Sequence, residues 1–175
     1  MREAAGRLPK SAPRIAWAWL CALEGVALAH LGDRSALAVR DQAERHAEAA
    51  QDDAPVWPWM FHFDERKIAT YRSLIAARLR MAEVALAASE KAGTSRSPKQ
   101  AALAVVERAR AFAAKGEFEH ACRLAAGAYD AGRRFGSERT RQAVRDFRAE
   151  LPRLPARITA DLDERLHASY LEDDE

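Results

Sequence analysis

Histidines, cysteines and closely spaced carboxylates are the side chains of this chain that could bind a metal ion or carry out catalysis. The five histidines are scattered along the sequence: His30, His46, His62, His120 and His167. No HExxH motif and no Cys/His cluster with zinc-site spacing occurs. The nearest grouping is His62-Phe63-Asp64-Glu65, where a loop histidine beside a helix N-cap aspartate is the simpler interpretation. We therefore predict no metal site and no cofactor.

The cysteines and the paired acidic residues show no pattern of an activated nucleophile. Cys21 and Cys122 are far apart and neither belongs to a CxxC motif, so we expect reduced, buried thiols. The sequence has no Gly-rich phosphate loop and no GxSxG motif. Carboxylate pairs such as Asp161 and Asp163 are typical of solvated surfaces. We predict that the protein is not an enzyme.

The composition indicates that helices position these side chains. The chain has 175 residues, of which 40 are alanine and 23 arginine, and it contains no asparagine. Alanine is the strongest helix former, asparagine favours turns, and no alternating strand pattern occurs, so we predict an all-α fold. The net charge of +2 is too balanced for nucleic-acid binding by the whole surface. Without an apolar stretch long enough for a membrane or a secretory signal, we expect a cytoplasmic protein.

The chain divides into three regions. Residues 1–13 form a polar lead with little pattern, residues 14–151 carry a series of helices, and residues 152–175 hold one more helix and an acidic tail. Asp64, Ser97 and Ser137 precede helical segments and are predicted N-caps. Residues 52–63 contain two prolines and a cluster of aromatic side chains, so this stretch is predicted to interrupt the helices.

Small residues repeat along the helical region at a fixed offset. One helix-ending turn carries, in order, Ala109, Phe112, Gly116, Ala121, Ala125 and Ala128. The same spacing occurs 36 residues earlier, from Ser73 to Ala92, and its opening half occurs again at Gly25, Leu28 and Gly32. Small residues let two helices approach closely and glycine permits a positive φ at the turn, so we expect stacked helix pairs. Arg80 takes the place of the turn glycine in the second pair.

This pattern, clearest in residues 109–128, resembles the tetratricopeptide repeat (TPR). The wider sequence, from VWPWMFHFDE to AKGEFEHACRLAAGAYDAGRRFGSERTRQAVRDF, resembles the C-terminal helical-repeat region of actinobacterial helix-turn-helix transcriptional regulators. The resemblance implies a right-handed α-solenoid of about three antiparallel helix pairs with C-terminal capping helices. It also implies a regulatory, transcription-related role, although no helix-turn-helix segment fits before residue 15. The 36-residue units are longer than the 34 residues of the family repeat.

The resemblance also implies a concave groove lined by the first helix of each pair. Carried onto this sequence, the groove-facing positions are Trp19, Val26, His30, Lys67, Thr70, Leu74, Arg78, Leu103, Val106 and Arg110. This mixed apolar and basic set would suit a protein or an extended peptide with acidic groups. The alternatives are a small-molecule or signal-sensing groove, and a plain solvated or partly covered face. Self-association into a homodimer is one form that protein binding could take.

Two further surfaces are candidates for binding a partner. The aromatic insertion places Trp57, Trp59, Phe61 and Phe63 close together, either as a plug against the first helices or as an exposed partner patch. Residues 133–157 are rich in arginine, and Arg141, Arg145 and Arg148 share one helix face. A solvated face explains that run better than phosphate binding does, so we do not expect direct nucleic-acid binding.

Overall fold

The computed structural model describes residues 12–50 and 64–172, and within these ranges it contains eight α-helices and no strand. The predicted all-α class is therefore confirmed. The helices are α1 (Arg14–His30), α2 (Ala36–Glu48), α3 (Glu65–Arg78), α4 (Ala82–Ala92), α5 (Pro98–Ala114), α6 (Phe118–Arg134), α7 (Glu138–Glu150) and α8 (Ala156–Glu172). Among these described helices, none is both long and apolar enough to cross a lipid bilayer.

Three helices begin at the N-caps that the sequence predicts. The side chain of Asp64 accepts a hydrogen bond from the backbone N–H of Lys67 at 2.9 Å, which starts α3. Ser97 accepts from Gln100 N–H with Pro98 at the first helical position, and Ser137 accepts from Thr140 N–H. These side chains satisfy backbone donors that have no partner inside the helix.

Neighbouring helices pack in consecutive pairs. The most extensive contacts join α1 to α2, α3 to α4, and α5 to α6. The first helices of these pairs also contact one another in sequence, because α1 packs on α3, α3 on α5, and α5 on α7. Helix α8 packs on α6, where Leu162 is buried in the same apolar cluster as Tyr129 and Phe147.

The turns that end α1, α3, α5 and α6 share one hydrogen-bond pattern. In each, a residue with positive φ is followed by a residue whose N–H donates to the carbonyl five positions earlier. These bonds run from Asp33 to Leu28, Met81 to Ala76, Glu117 to Phe112 and Ser137 to Gly132, at 2.8 to 3.0 Å. This is the Schellman pattern of helix C-termini. Arg80 has a φ of 59°, which confirms that it occupies the position of a turn glycine.

Small residues stand where helices approach most closely, as the repeat predicts. A Cβ added to Gly25 of α1 would lie 2.9 Å from Cδ1 of Ile75 on α3. Ala109 and Ala121 are fully buried between α5 and α6. Ser73 is buried and its hydroxyl donates to the carbonyl of Ala85 at 2.9 Å, so a polar small residue is satisfied at the equivalent position of α3.

Candidate functional site

The ten residues predicted to line a groove lie on α1, α3 and α5, but their exposure differs widely. Seven of them are half-buried: Trp19, Val26, Lys67, Thr70, Leu74, Arg78 and Leu103. His30 is exposed, whereas Val106 is fully buried and belongs to the core cluster between α5 and α6. Trp19 also packs into a core cluster, the one between α1 and α2. Part of the predicted set therefore stabilises the fold and has little surface to offer a ligand.

Three of the ten residues converge on one cavity of about 410 Å³. His30, Arg78 and Arg110 all line it, although they come from three different helices. The C-terminal ends of α1, α3, α5 and α7 surround this cavity. Because the carbonyl end of a helix carries partial negative charge, four such ends favour cations here. We call this cavity and its charged residues the helix-end site.

A buried glutamate holds the two arginines of the helix-end site together. Glu107 Oε1 accepts from Arg78 Nη2 at 3.0 Å and from Arg110 Nη1 at 3.1 Å. The side chains of Glu107 and Arg110 are only 6% and 5% exposed. Charges buried this deeply are tolerated only when they are paired and hydrogen-bonded. Glu107 therefore links α5 to α3 and fixes the arginine side chains at the base of the site.

A second glutamate contacts the same arginines from the solvent side. Arg110 donates from Nε to Glu150 Oε2 at 2.9 Å and from Nη2 to Glu150 Oε1 at 3.1 Å. Arg78 donates from Nη1 to Glu150 Oε1 at 3.3 Å. The side chain of Glu150 is 48% exposed. Two parallel bonds from one guanidinium are the geometry with which arginine binds carboxylates in general.

The charged groups of the site are incompletely satisfied by protein atoms. Within the described residues, Arg78 Nε and Glu107 Oε2 are buried and have no hydrogen-bond partner. Although His30 is exposed overall, partial desolvation of its ring lowers its pKa below the usual 6.5, and the positive charge of Arg78 lowers it further. His30 is therefore biased towards its neutral form, because a third positive charge would stand beside two arginines. A ligand with a negative charge would offset that repulsion.

Apolar side chains complete the lining of the site. Phe118, Phe147, Leu151 and Pro152 contribute to its wall, and the guanidinium of Arg110 lies 5.9 Å from the centre of the Phe147 ring. Leu31, next to His30 at the end of α1, is 82% exposed. The apolar part of the cavity wall offers contact area to an apolar group of a ligand.

The sequence did not reveal Glu107, Phe147 and Glu150 as members of this site. The spacing of Glu107, three residues before Arg110, is a signal for an intrahelical ion pair that could have been used. Glu150 is 40 residues from Arg110, and only the packing of α7 on α5 brings them together. No local pattern encodes that contact.

A larger cavity of about 860 Å³ lies among α2, α3 and α4. Its floor is apolar, formed by residues such as Ile68, Val84 and Ala88. Its rim is mainly acidic, with Glu44, Glu48, Asp64, Glu65 and Glu83 against Arg72 and Lys91. The predicted aromatic patch of Trp57, Trp59, Phe61 and Phe63 belongs to the chain segment between α2 and α3, and it lies outside the described residues.

Three of the four arginines of α7 are paired with acidic side chains. Arg141 and Arg145 both contact Glu138, and Arg148 donates two bonds to Asp163 of α8, at 2.6 and 2.9 Å. Two acidic side chains therefore offset part of the positive charge on the face that Arg141, Arg145 and Arg148 share. The Arg148–Asp163 pair ties α7 to α8.

Histidine, cysteine and acidic side chains are not grouped as in a metal site in the described part of the chain. No cluster of three or more His, Cys, Asp or Glu side chains is placed to hold a metal ion there. Both Cys21 and Cys122 are free thiols, and burial raises the pKa of each above its usual value. A raised pKa keeps a thiol protonated and weakly nucleophilic at neutral pH.

Comparison with known proteins returns no match for this chain, whether against protein families, curated proteins or solved structures.

Proposed function

We propose that this protein is a non-catalytic, TPR-like module that binds a protein or peptide in a regulatory, transcription-related role. In this proposal the three helix pairs and α7 form a right-handed solenoid whose first helices line the binding face. The succession of contacts from α1 through α3 and α5 to α7 supports it, as do the matching turns. The module acts in the cytoplasm.

The observation that carries the proposal is the convergence of His30, Arg78 and Arg110 on one cavity. Three helices each place a basic side chain beside the same opening, and Phe118 adds apolar surface. A cavity of about 410 Å³ has room for one or two side chains of a ligand. The matching ligand is a peptide in which an acidic residue lies next to an apolar one.

A fluorescein-labelled peptide that alternates Asp with Leu, with blocked termini, tests this function by fluorescence polarisation. The unaltered protein should bind this peptide and should not bind its Asn-containing counterpart. Arg78→Gln should weaken binding at least tenfold, because it removes one of the two guanidinium groups. Arg108→Gln, at an exposed position of α5, is the matched control and should bind normally. Equal affinity of Arg78→Gln and the unaltered protein would contradict the proposal.

Protein binding includes the case in which the partner is a second copy of the chain. Sedimentation velocity across a range of concentrations measures this directly. A mass that remains monomeric at high micromolar concentration would exclude a homodimer as the functional form. The proposed function would then be the binding of a different protein or a peptide.

The cavity among α2, α3 and α4 supports a second candidate function, the sensing of a small molecule. Its volume of about 860 Å³ falls in the range of small-molecule sites. The acidic rim and apolar floor match a ligand with a cationic group and an apolar body. Thermal shift measurements with alkylamines should show stabilisation that Ala88→Trp removes, because the larger ring would fill the floor. Stabilisation that persists in this variant would contradict a site in this cavity.

A further inference from the structure

The two glutamates of the helix-end site hold the same arginines but differ in how they are anchored. Glu107 is 6% exposed and lies within α5, whereas Glu150 is 48% exposed and is the last residue of α7. The backbone leaves the helix directly after it, since Leu151 is extended with ψ of 143° and Pro152 follows. Glu150 can therefore leave the arginines by side-chain rotation into solvent, while Glu107 cannot move without opening the core.

The contacts of Glu150 are those that a ligand carboxylate would make. Both of its oxygens accept from Arg110, at 2.9 and 3.1 Å, and one also accepts from Arg78 at 3.3 Å. This position faces the cavity, which Glu150 itself lines together with His30 and Arg80. With Glu150 in place, two arginines balance two glutamates. Without it, Arg78 and Arg110 would share only the Glu107 carboxylate among side chains, and the nearby Arg80 adds a positive charge that offsets the negative helix ends.

We propose that Glu150 is an internal substitute for the ligand, and that an Asp or Glu side chain of a bound acidic peptide takes its place on Arg78 and Arg110. This inference rests on the proposed peptide-binding function and adds its regulation. Glu107 keeps both guanidinium groups oriented throughout the exchange. Glu150 competes with every ligand carboxylate, so it lowers the affinity of the free site and excludes weakly acidic partners.

The proposal makes the unusual prediction that removing a contact residue strengthens binding. Glu150→Gln deletes the competing negative charge while keeping the length of the side chain. The labelled Asp/Leu peptide should then bind about tenfold more tightly, which corresponds to about 1.4 kcal/mol. Glu150→Asp keeps the charge on a shorter side chain that reaches the arginines less well, so its affinity should lie between the two.

Glu138→Gln is the matched control for the change in net charge. Glu138 is an exposed glutamate at the opposite end of the same helix, where it pairs with Arg141 and Arg145. Its loss should leave the affinity unchanged, because the site itself is not altered. If Glu138→Gln strengthens binding as much as Glu150→Gln does, a general charge effect is responsible and the proposal is overturned. Circular dichroism should show the same helical signal for all three variants.

The remaining outcomes separate this inference from the function on which it rests. If the unaltered protein binds the peptide and Glu150→Gln binds it equally or more weakly, the proposed exchange of carboxylates is wrong. The proposed peptide-binding function is not contradicted by that result. If neither protein binds the acidic peptide, both are wrong. The last comparison uses a peptide that has Asn in place of Asp and a free C-terminus, so that its only carboxylate is the terminal one. Binding of that peptide as tight as binding of the blocked acidic peptide would overturn the assignment to a side-chain carboxylate.

Discussion

Replacing Glu107 by glutamine should be among the most destabilising single changes of a charged residue in this protein. The substitution keeps the volume of the side chain, so it creates no cavity and reports only on charge. It leaves Arg110, whose side chain is 5% exposed, and Arg78 without the carboxylate that lies between them. Removing one partner of a buried ion pair typically costs about 3 to 5 kcal/mol. Both arginines keep Glu150, so we expect the lower end, about 3 kcal/mol.

Urea unfolding followed by circular dichroism at 222 nm measures this difference in the free energy of unfolding. Glu150→Gln is the internal comparison, because it removes a carboxylate from the same two arginines. Glu150 is 48% exposed, so water replaces much of what is lost and the cost should stay near 1 kcal/mol or below. Equal costs for the two substitutions, or a larger cost for Glu150→Gln, would refute the distinction between an anchored and an exchangeable glutamate.

Three other measurements test separate parts of the structure. Arg80→Gly should raise the free energy of unfolding by about 1 kcal/mol, since glycine adopts the positive φ of 59° without strain. Arg80→Ala should not raise the free energy of unfolding. Equal effects of the two substitutions would contradict the assignment to backbone strain. NMR titration of His30 should give a pKa below 6.5. The stability that comes from its neutral form is present above the pKa of the unfolded state and is lost as pH falls through the pKa of the folded state. His30→Gln should therefore flatten the dependence of unfolding free energy on pH. Hydrogen bonds from Arg148 lower the pKa of Asp163 below 3.8. The stability that these bonds give the folded protein is therefore present above pH 3.8, and it is lost as pH falls through the pKa of Asp163 in the folded state. Asp163→Asn should cost about 1 kcal/mol at neutral pH, because this pair is about one third exposed, and the cost should become smaller as the pH falls below 3.8. A cost that does not change with pH would exclude the ion pair as its source.

Turns and helix contacts of this fold could be predicted from the sequence because short-range rules determine them. The spacing that aligns Gly32, Arg80 and Gly116 predicted three positive-φ turns, and all three residues have positive φ. The sequence also indicates where α2 begins, when the spacing of residues 109–128 is extended past Gly32. Asp41 and Glu44 would be buried if the strict spacing held, and a start one residue earlier buries Ala36 and Ala43 instead. A helix packs with its charged side chains facing water, and the positions of those side chains can be read from the sequence alone.

The helix-end site could be predicted only in part, because it depends on how separate helices pack. The spacing of groove positions identified His30, Arg78 and Arg110, which do meet. It did not anticipate that α7 covers part of α5, where Phe147 and Glu150 lie against Arg110. The resemblance implies C-terminal capping helices, of which α7 would be the first, and a cap shields apolar surface. Here this helix also supplies an acidic side chain to the candidate binding face.

The helix ends themselves explain why such an exchange of carboxylates is energetically feasible. An arginine pair that lost one of two carboxylates inside a neutral core would carry a severe desolvation cost. At this site the C-terminal ends of α1, α3, α5 and α7 all border the cavity, and their carbonyl dipoles, partly satisfied by the turns, stay in place. The carbonyl of Ala143 accepts a further hydrogen bond from Arg110 at 3.3 Å. These fixed groups and Glu107 stabilise Arg78 and Arg110 while Glu150 is displaced, so the site remains charged and open to an acidic ligand without unfolding the helices that build it.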